Sequence, residues 1–267
     1  MFDYINHLSV NQLVPIVCLS FVLITWFGAI FIRPFFRLFV RSQPELNSLV
    51  GNFLSMYGMF YGILMGLLAV AAYQNTVDIE EAVIAEGAVL ASLFRSVSAY
   101  PEDLRQPLQE SVRDYTQFVI DVEWPLMRKG EVFTGSKPLT DRLQEQLLDF
   151  EPASAGQVIL HTEATKQFYR FLELKAERIY SAQSGIPGIM WYVVLLGAFV
   201  SIFLTWMLNM SLVAHMFLGG VLSFFIGTMV SLIIVLGSPL RGGHGIDPEV
   251  FQLLLRLMNM ALGQPSG

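Results

Sequence analysis

Apolar and polar positions alternate in two different ways along this chain. Four stretches are apolar on every side and contain no Asp, Glu, Lys or Arg: Leu13–Ile32, Val50–Ala72, Gly188–Asn209 and Leu212–Leu236. They run for 20, 23, 22 and 25 residues. A helix needs about 20 apolar residues to cross a hydrocarbon core of about 30 Å, so each predicts a transmembrane helix. The first is too long for a typical signal-peptide core, and no Lys or Arg precedes it. It therefore reads as a retained anchor.

Between spans two and three the pattern becomes one-sided. Tyr73–Pro187 holds 115 residues with apolar positions at helical spacing. Asp78, Glu80 and Glu81 form an acidic first turn for a helix over Thr76–Ala99. Leu104, Leu108, Val112, Tyr115, Val119 and Val122 predict a second helix from Glu102 to about Lys129, kinked or ended by Pro125. Gly130, Gly135 and Pro138 mark a loop, and Leu139–Phe150 a shorter helix. Ser154 can cap a long helix to about Ser184, with a stripe of Ala164, Phe168, Phe171, Leu172 and Ile179, before Gly185 and Pro187 break it. After span four, Gly237–Pro248 is turn-rich. Asp247 can cap, and Pro248 start, an amphipathic helix over Glu249–Leu262.

The predicted class is all-α: four transmembrane helices with a helical extramembrane domain inserted between spans two and three. The predicted organisation is a first hairpin over 1–72, the helical domain over 73–187, a second hairpin over 188–236, and a loop with a C-terminal helix over 237–267. An even number of spans puts both termini and the domain on one side. Orientation stays open. Arg33, Arg37 and Arg41 crowd the short link, while Arg170, Lys175, Arg178, Arg241 and Arg256 flank spans on the other face.

Composition agrees with this division. Charged residues make up 14% of the chain, below the usual quarter, and hydrophobic ones 54%. A net charge of −6 leaves no basic footprint for nucleic acid. The single Cys18 excludes a disulfide scaffold. Tyr73–Pro187 carries 18 acidic against 11 basic residues, which a solvated helical face explains.

Catalytic patterns are missing. There is no phosphate-binding loop, dinucleotide glycine fingerprint, His-Glu-x-x-His or nucleophile elbow. His7, His161, His215 and His244 have no metal spacing, and no EF-hand loop is present. No metal, cofactor or enzymatic activity is expected. Intramembrane acids and bases of the kind that drive carriers are lacking as well, although a channel can be lined by apolar and hydroxyl side chains.

Two spans carry small-residue stripes: Gly58, Gly62 and Gly66 in span two, and Gly219, Ser223, Gly227 and Ser231 in span four. Such stripes let helix backbones approach closely in lipid, and packing is the first reading of them; a pore or hinge wall is the alternative. Span two also brings Asn52, Phe53, Ser55, Tyr57, Phe60 and Tyr61 to the membrane, and these are the candidate pore-lining residues. Trp191, Tyr192, Trp206 and His215 fit interfacial positions.

Several strings occur in a telling order. They are Val50-Gly51-Asn52-Phe53, Tyr61 to Gly66, Glu86 to Arg95, Tyr115, Glu123-Trp124-Pro125, Pro239-Leu240-Arg241-Gly242 and Ile246-Asp247-Pro248. In this order the chain resembles the bestrophin-like family of bacterial and plant multi-pass membrane proteins. Where the family pattern often has Asp two residues before the proline matching Pro239, this chain has Gly237. The resemblance implies a distant relation to bestrophins, which are homopentameric anion channels. It thus implies self-association in a lipid bilayer, here a bacterial inner membrane, and an inorganic anion such as chloride as the permeant partner. Span two and its extension would line the pore. Glu80, Glu81 and Glu86 on that extension oppose anions if they face it, unless Arg95 offsets them or pairs with an acid. A non-conducting scaffold or sensor and a stator-like subunit of an ion-driven complex are the alternatives.

Overall fold

The computed structural model describes residues 9–40, 44–131, 135–183 and 186–264. His7, Arg41, Ser184 and Gly185, used in the reading above, lie outside them. Among the described residues the chain is all helical, and four helices are long and apolar enough to cross a membrane. The chain is a multi-pass membrane protein built of two compact units. One comprises residues 1–76 with 185–238, and the other residues 77–184 with 239–267.

The first unit contains α1 (Val10–Phe31), α2 (Arg33–Val40), the N-terminal part of α3 (Pro44–Val97), α8 (Gly188–Met207) and α9 (Leu212–Leu236). Helices are the natural solution here, because lipid offers no partner for a free backbone N–H or C=O. α1 and α9 meet along a seam of small residues. A Cβ on Gly227 would lie 2.7 Å from the Cys18 Cα, and one on Gly219 would lie 3.1 Å from the Thr25 methyl. The Thr25 and Ser223 hydroxyls hydrogen-bond across this seam, and Ser231 is buried on it. The span-four stripe is thus used for packing inside the subunit.

Trp206 packs inside the first unit. It is buried, its indole lies against Gly28, and its Nε1 donates to the Thr25 carbonyl at 3.0 Å. His215 is likewise fully buried. Tyr192 is exposed.

The second unit contains the remainder of α3, α4 (Glu102–Phe118), a π-helical turn (Val119–Glu123), α5 (Trp124–Arg128), α6 (Lys137–Leu148), α7 (Ala155–Gln183) and α10 (Glu249–Ala261). Leu90, Leu93, Leu108, Val112, Leu143 and Phe168 belong to its buried core, and Phe251 and Leu254 of α10 join them. The amphipathic C-terminal helix therefore docks within this unit rather than floating free.

Two local expectations need correction. No helix starts at Thr76: α3 runs unbroken over 54 residues, about 81 Å at 1.5 Å per residue, far more than a hydrocarbon core requires. The acidic residues at 78–81 sit in its interior, because continuous backbone hydrogen bonding needs no cap there. Asp247 does not cap α10. Pro248 holds the N-cap position, and Asp247 pairs with Arg128 instead. Pro125 behaves as expected of a residue without an N–H. The ladder widens into the π-turn just before it and resumes in α5. Ser154 also acts as expected, its Oγ accepting from the Gln157 N–H at 3.3 Å.

Candidate functional site

Two arrangements stand out, one in each unit. In the membrane unit, α3 differs from the other spans. Only 6% of its most apolar window is buried within the chain, against 50% for α9. Phe53, Met56, Phe60, Ile63, Leu67 and Val70 are all at least half exposed. Their spacing alternates between three and four residues, so they form one continuous stripe. Asn52 and Ser55 are also exposed, with the Ser55 hydroxyl bonded to the Gly51 carbonyl at 3.0 Å. Cβ atoms built on Gly58, Gly62 and Gly66 would touch nothing within 4 Å. Gly58 and Gly62 instead line a small cavity of about 150 Å³ with Tyr61 and Met65 of α3, Ser201 of α8, and Leu222 and Ile226 of α9.

The opposite face of α3 is anchored. Tyr61 donates its hydroxyl to the Val194 carbonyl at 2.8 Å, and Tyr57 donates to the Gly197 carbonyl at 3.2 Å. A Cβ on Gly197 would collide with the Tyr61 ring, so α8 needs glycine there. Of the six candidate lining residues, these two tyrosines brace α3 against α8. The other four stand on its exposed side.

In the second unit, residues far apart in sequence converge on Arg178, which is fully buried. Its Nε donates to Glu86 Oε2 at 2.7 Å, and its Nη2 donates to Glu123 Oε2 at 2.9 Å. Nη2 also reaches the Tyr115 hydroxyl at 3.2 Å, and that hydroxyl donates to Glu86 Oε1 at 2.9 Å. Ser136 donates to the second oxygen of Glu123. The guanidinium carbon lies 5.8 Å from the Trp124 ring and 5.7 Å from that of Phe251. Trp124 is held in turn by its Nε1–H bond to the Ile246 carbonyl at 3.1 Å.

That bond ties the cluster to the loop after span four. The Ile246 N–H donates to the Pro239 carbonyl at 2.7 Å, and Gly242 sits at φ 74°. Pro239, Gly242 and Pro248 are buried, whereas Pro125 is exposed.

Electrostatics follow from burial and pairing. Burial disfavours the Arg178 charge, but Glu86, Tyr115 and Glu123 outweigh it and hold its pKa well above the ordinary value. Burial, with the Glu86 charge next, keeps the Tyr115 hydroxyl protonated well past its usual range. Lys175 lies with its ammonium 5.2 Å from the Tyr115 ring, and burial lowers its pKa.

Glu86 therefore pairs with Arg178 and not with Arg95. Arg95 is exposed, with no hydrogen bond or ion pair to its guanidinium among the described residues. Glu80 and Glu81 are exposed as well. Arg178 itself is absent from the site residues expected from sequence. The sequence does hold a signal for it: Ala164, Phe168, Phe171, Lys175 and Arg178 continue one stripe at spacings of four and three. Among the described residues no group of three His, Cys, Asp or Glu could hold a metal ion. The carboxylates of this cluster are committed to the guanidinium.

Residues 20–251 match the profile of the bestrophin-like domain. No curated protein matches the chain. Among solved structures, a bacterial bestrophin homolog from Klebsiella pneumoniae with a leucine-to-threonine mutation aligns with a TM-score of 0.58 at 14% identity, over 92% of this chain and 99% of that one. Two crystal structures of membrane proteins, each a proline-to-alanine variant, align in the same way. The first gives a TM-score of 0.59 at 14% identity, over 95% of this chain and 100% of that one. The second gives 0.57 at 14% identity, over 94% of this chain and 99% of that one.

Proposed function

This chain belongs to the bestrophin-like family, and on that premise we propose that it is a homo-oligomeric membrane channel conducting small inorganic anions such as chloride. The reading rests on one observation above others: the exposed apolar stripe of α3 from Phe53 to Val70. Copies arranged around an axis would bring this face together, with phenylalanines narrowing the path. Phe53 and Phe60 then form rings that gate by dewetting, and Asn52 and Ser55 offer polar groups beside them. Tyr57 and Tyr61 hold the lining helix in place from behind.

The second unit contributes rigidity in this reading. Arg178, Glu86, Glu123 and Tyr115 lock α3, α4, the π-turn and α7 together, which fixes the α3 extension. Glu86 is sequestered there, so it brings no negative charge to an ion path.

The test is chloride efflux from liposomes containing the purified oligomer. Efflux above that of protein-free vesicles, altered by Phe60→Ala, supports the proposal. An intact oligomer without efflux, in both the parent and the Phe60→Ala protein, overturns it in favour of a scaffold.

A further inference from the structure

Arg95 belongs to one of the strings that carry the family resemblance, yet the Arg178 cluster does not use it. It faces a groove of about 730 Å³ in the second unit, walled by α3, α4 and α10. That volume lies within the range typical of small-molecule sites. Phe94 of α3 and Leu254, Leu257, Met258 and Leu262 of the C-terminal segment line one part of it. Arg95, Arg105, Gln106, Gln109, Glu110 and Gln264 are among its polar lining.

The lining is thus amphiphilic, with its charges unevenly spent. Arg105 lies 3.5 Å from Glu102, an exposed pair of little strength. Glu110 is the one carboxylate in the lining, and it accepts the Gln106 amide at 3.0 Å. Arg113, outside the lining, bonds to the Gln264 Oε1. Arg95 has none of these commitments. A guanidinium offers a planar fork of donors that matches a carboxylate. Beside it, Leu257 is 53% exposed, an apolar surface left open at the groove.

We propose that this groove binds a small amphiphilic carboxylate: an anionic head on Arg95, with Arg105 contributing charge, and an apolar body against Leu254, Leu257 and Leu262. A head without a body would lack the apolar wall, and a body without a charge would leave the guanidinium unpaired. The site lies wholly within the second unit and does not depend on conduction.

The test is equilibrium dialysis of radiolabelled octanoate against the full chain in nanodiscs, with empty nanodiscs as the blank. One saturable site per subunit is expected. Arg95→Gln should weaken it at least tenfold, about the loss of one charge-assisted hydrogen bond. Arg95 is exposed and unpaired, so this variant keeps the parent's circular dichroism and thermal midpoint. Leu257→Asp should weaken binding by a similar factor from the apolar side. Neither acetate nor octanamide should displace the label at tenfold excess. Absence of saturable binding, an unchanged Kd in Arg95→Gln, or displacement by acetate as effective as by unlabelled octanoate would each overturn the proposal. Chloride efflux measured on the same Arg95→Gln protein separates the two readings, since loss of binding with efflux intact leaves the channel proposal untouched.

Discussion

Replacing Arg178 with Met removes one positive charge from a place where water cannot enter. The guanidinium is fully buried, as is Glu86, and Glu123 is 2% exposed. The side chain spans α7 to α3 and the π-turn through charged hydrogen bonds of 2.7, 3.2 and 2.9 Å. Without it, two carboxylates face each other in a low-dielectric core with only Lys175, Tyr115 and Ser136 nearby. Breaking a buried pair by deleting one partner costs about 3–5 kcal/mol. For a unit of this size each kcal/mol moves a midpoint by about 3 °C, so the expected fall is about 10–15 °C. Glu86→Gln should cost less, about 1–2 kcal/mol, because Arg178 keeps Glu123 and no net charge is stranded. Adding Glu86→Gln and Glu123→Gln to Arg178→Met should recover much of the loss, since removing both charges of a buried pair is often neutral. Thermal melts of the detergent-solubilised protein, with hydrogen exchange read on peptides from α4 and α7, would give the order. Arg178→Met melting within about 2 °C of the parent, with unchanged protection in α4 and α7, would refute the reasoning.

Other consequences follow from the same geometry. Burial raises the Tyr100 pKa to about 12, and its hydroxyl bonds His161 Nδ1 at 2.7 Å. Its folded value exceeds the unfolded one, so its contribution is full below pH 10 and is lost as pH rises towards 12. Tyr100→Phe should flatten the fall in thermal midpoint over that interval. Gly227→Val places side-chain atoms against the Cys18 backbone and should destabilise the membrane unit by about 1–3 kcal/mol in a melt, whereas Gly62→Ala, whose Cβ meets nothing within 4 Å, should leave the same melt unchanged. Gly242→Ala forces a Cβ into a left-handed backbone at φ 74° and should cost about 1–2 kcal/mol, seen as faster exchange at Ile246.

The four spans are legible in the sequence because lipid imposes a length and forbids charge, leaving little freedom in where such helices lie. Leu212–Leu236 is bounded to the residue, since Ser211 caps it and Gly237 follows. Continuity through Thr76 is not legible, because an acidic turn looks the same at a helix start and on a solvated helix interior. Span-two and span-four stripes look alike as well. Only tertiary contact separates Gly227, packed against Cys18, from Gly62, which borders a small cavity. Arg178 is hidden by a rule of thumb. Charged residues near span ends are usually flanks, yet its place on the Phe168–Phe171 stripe points inward.

The most direct test of the central claim is the reversal potential of the purified oligomer in planar bilayers under asymmetric KCl. The account predicts a reversal potential displaced toward the chloride equilibrium value, with a conductance that Phe60→Ala changes. A reversal potential at the potassium value would contradict anion conduction, and a silent bilayer containing intact oligomer and its Phe60→Ala variant would contradict the channel itself.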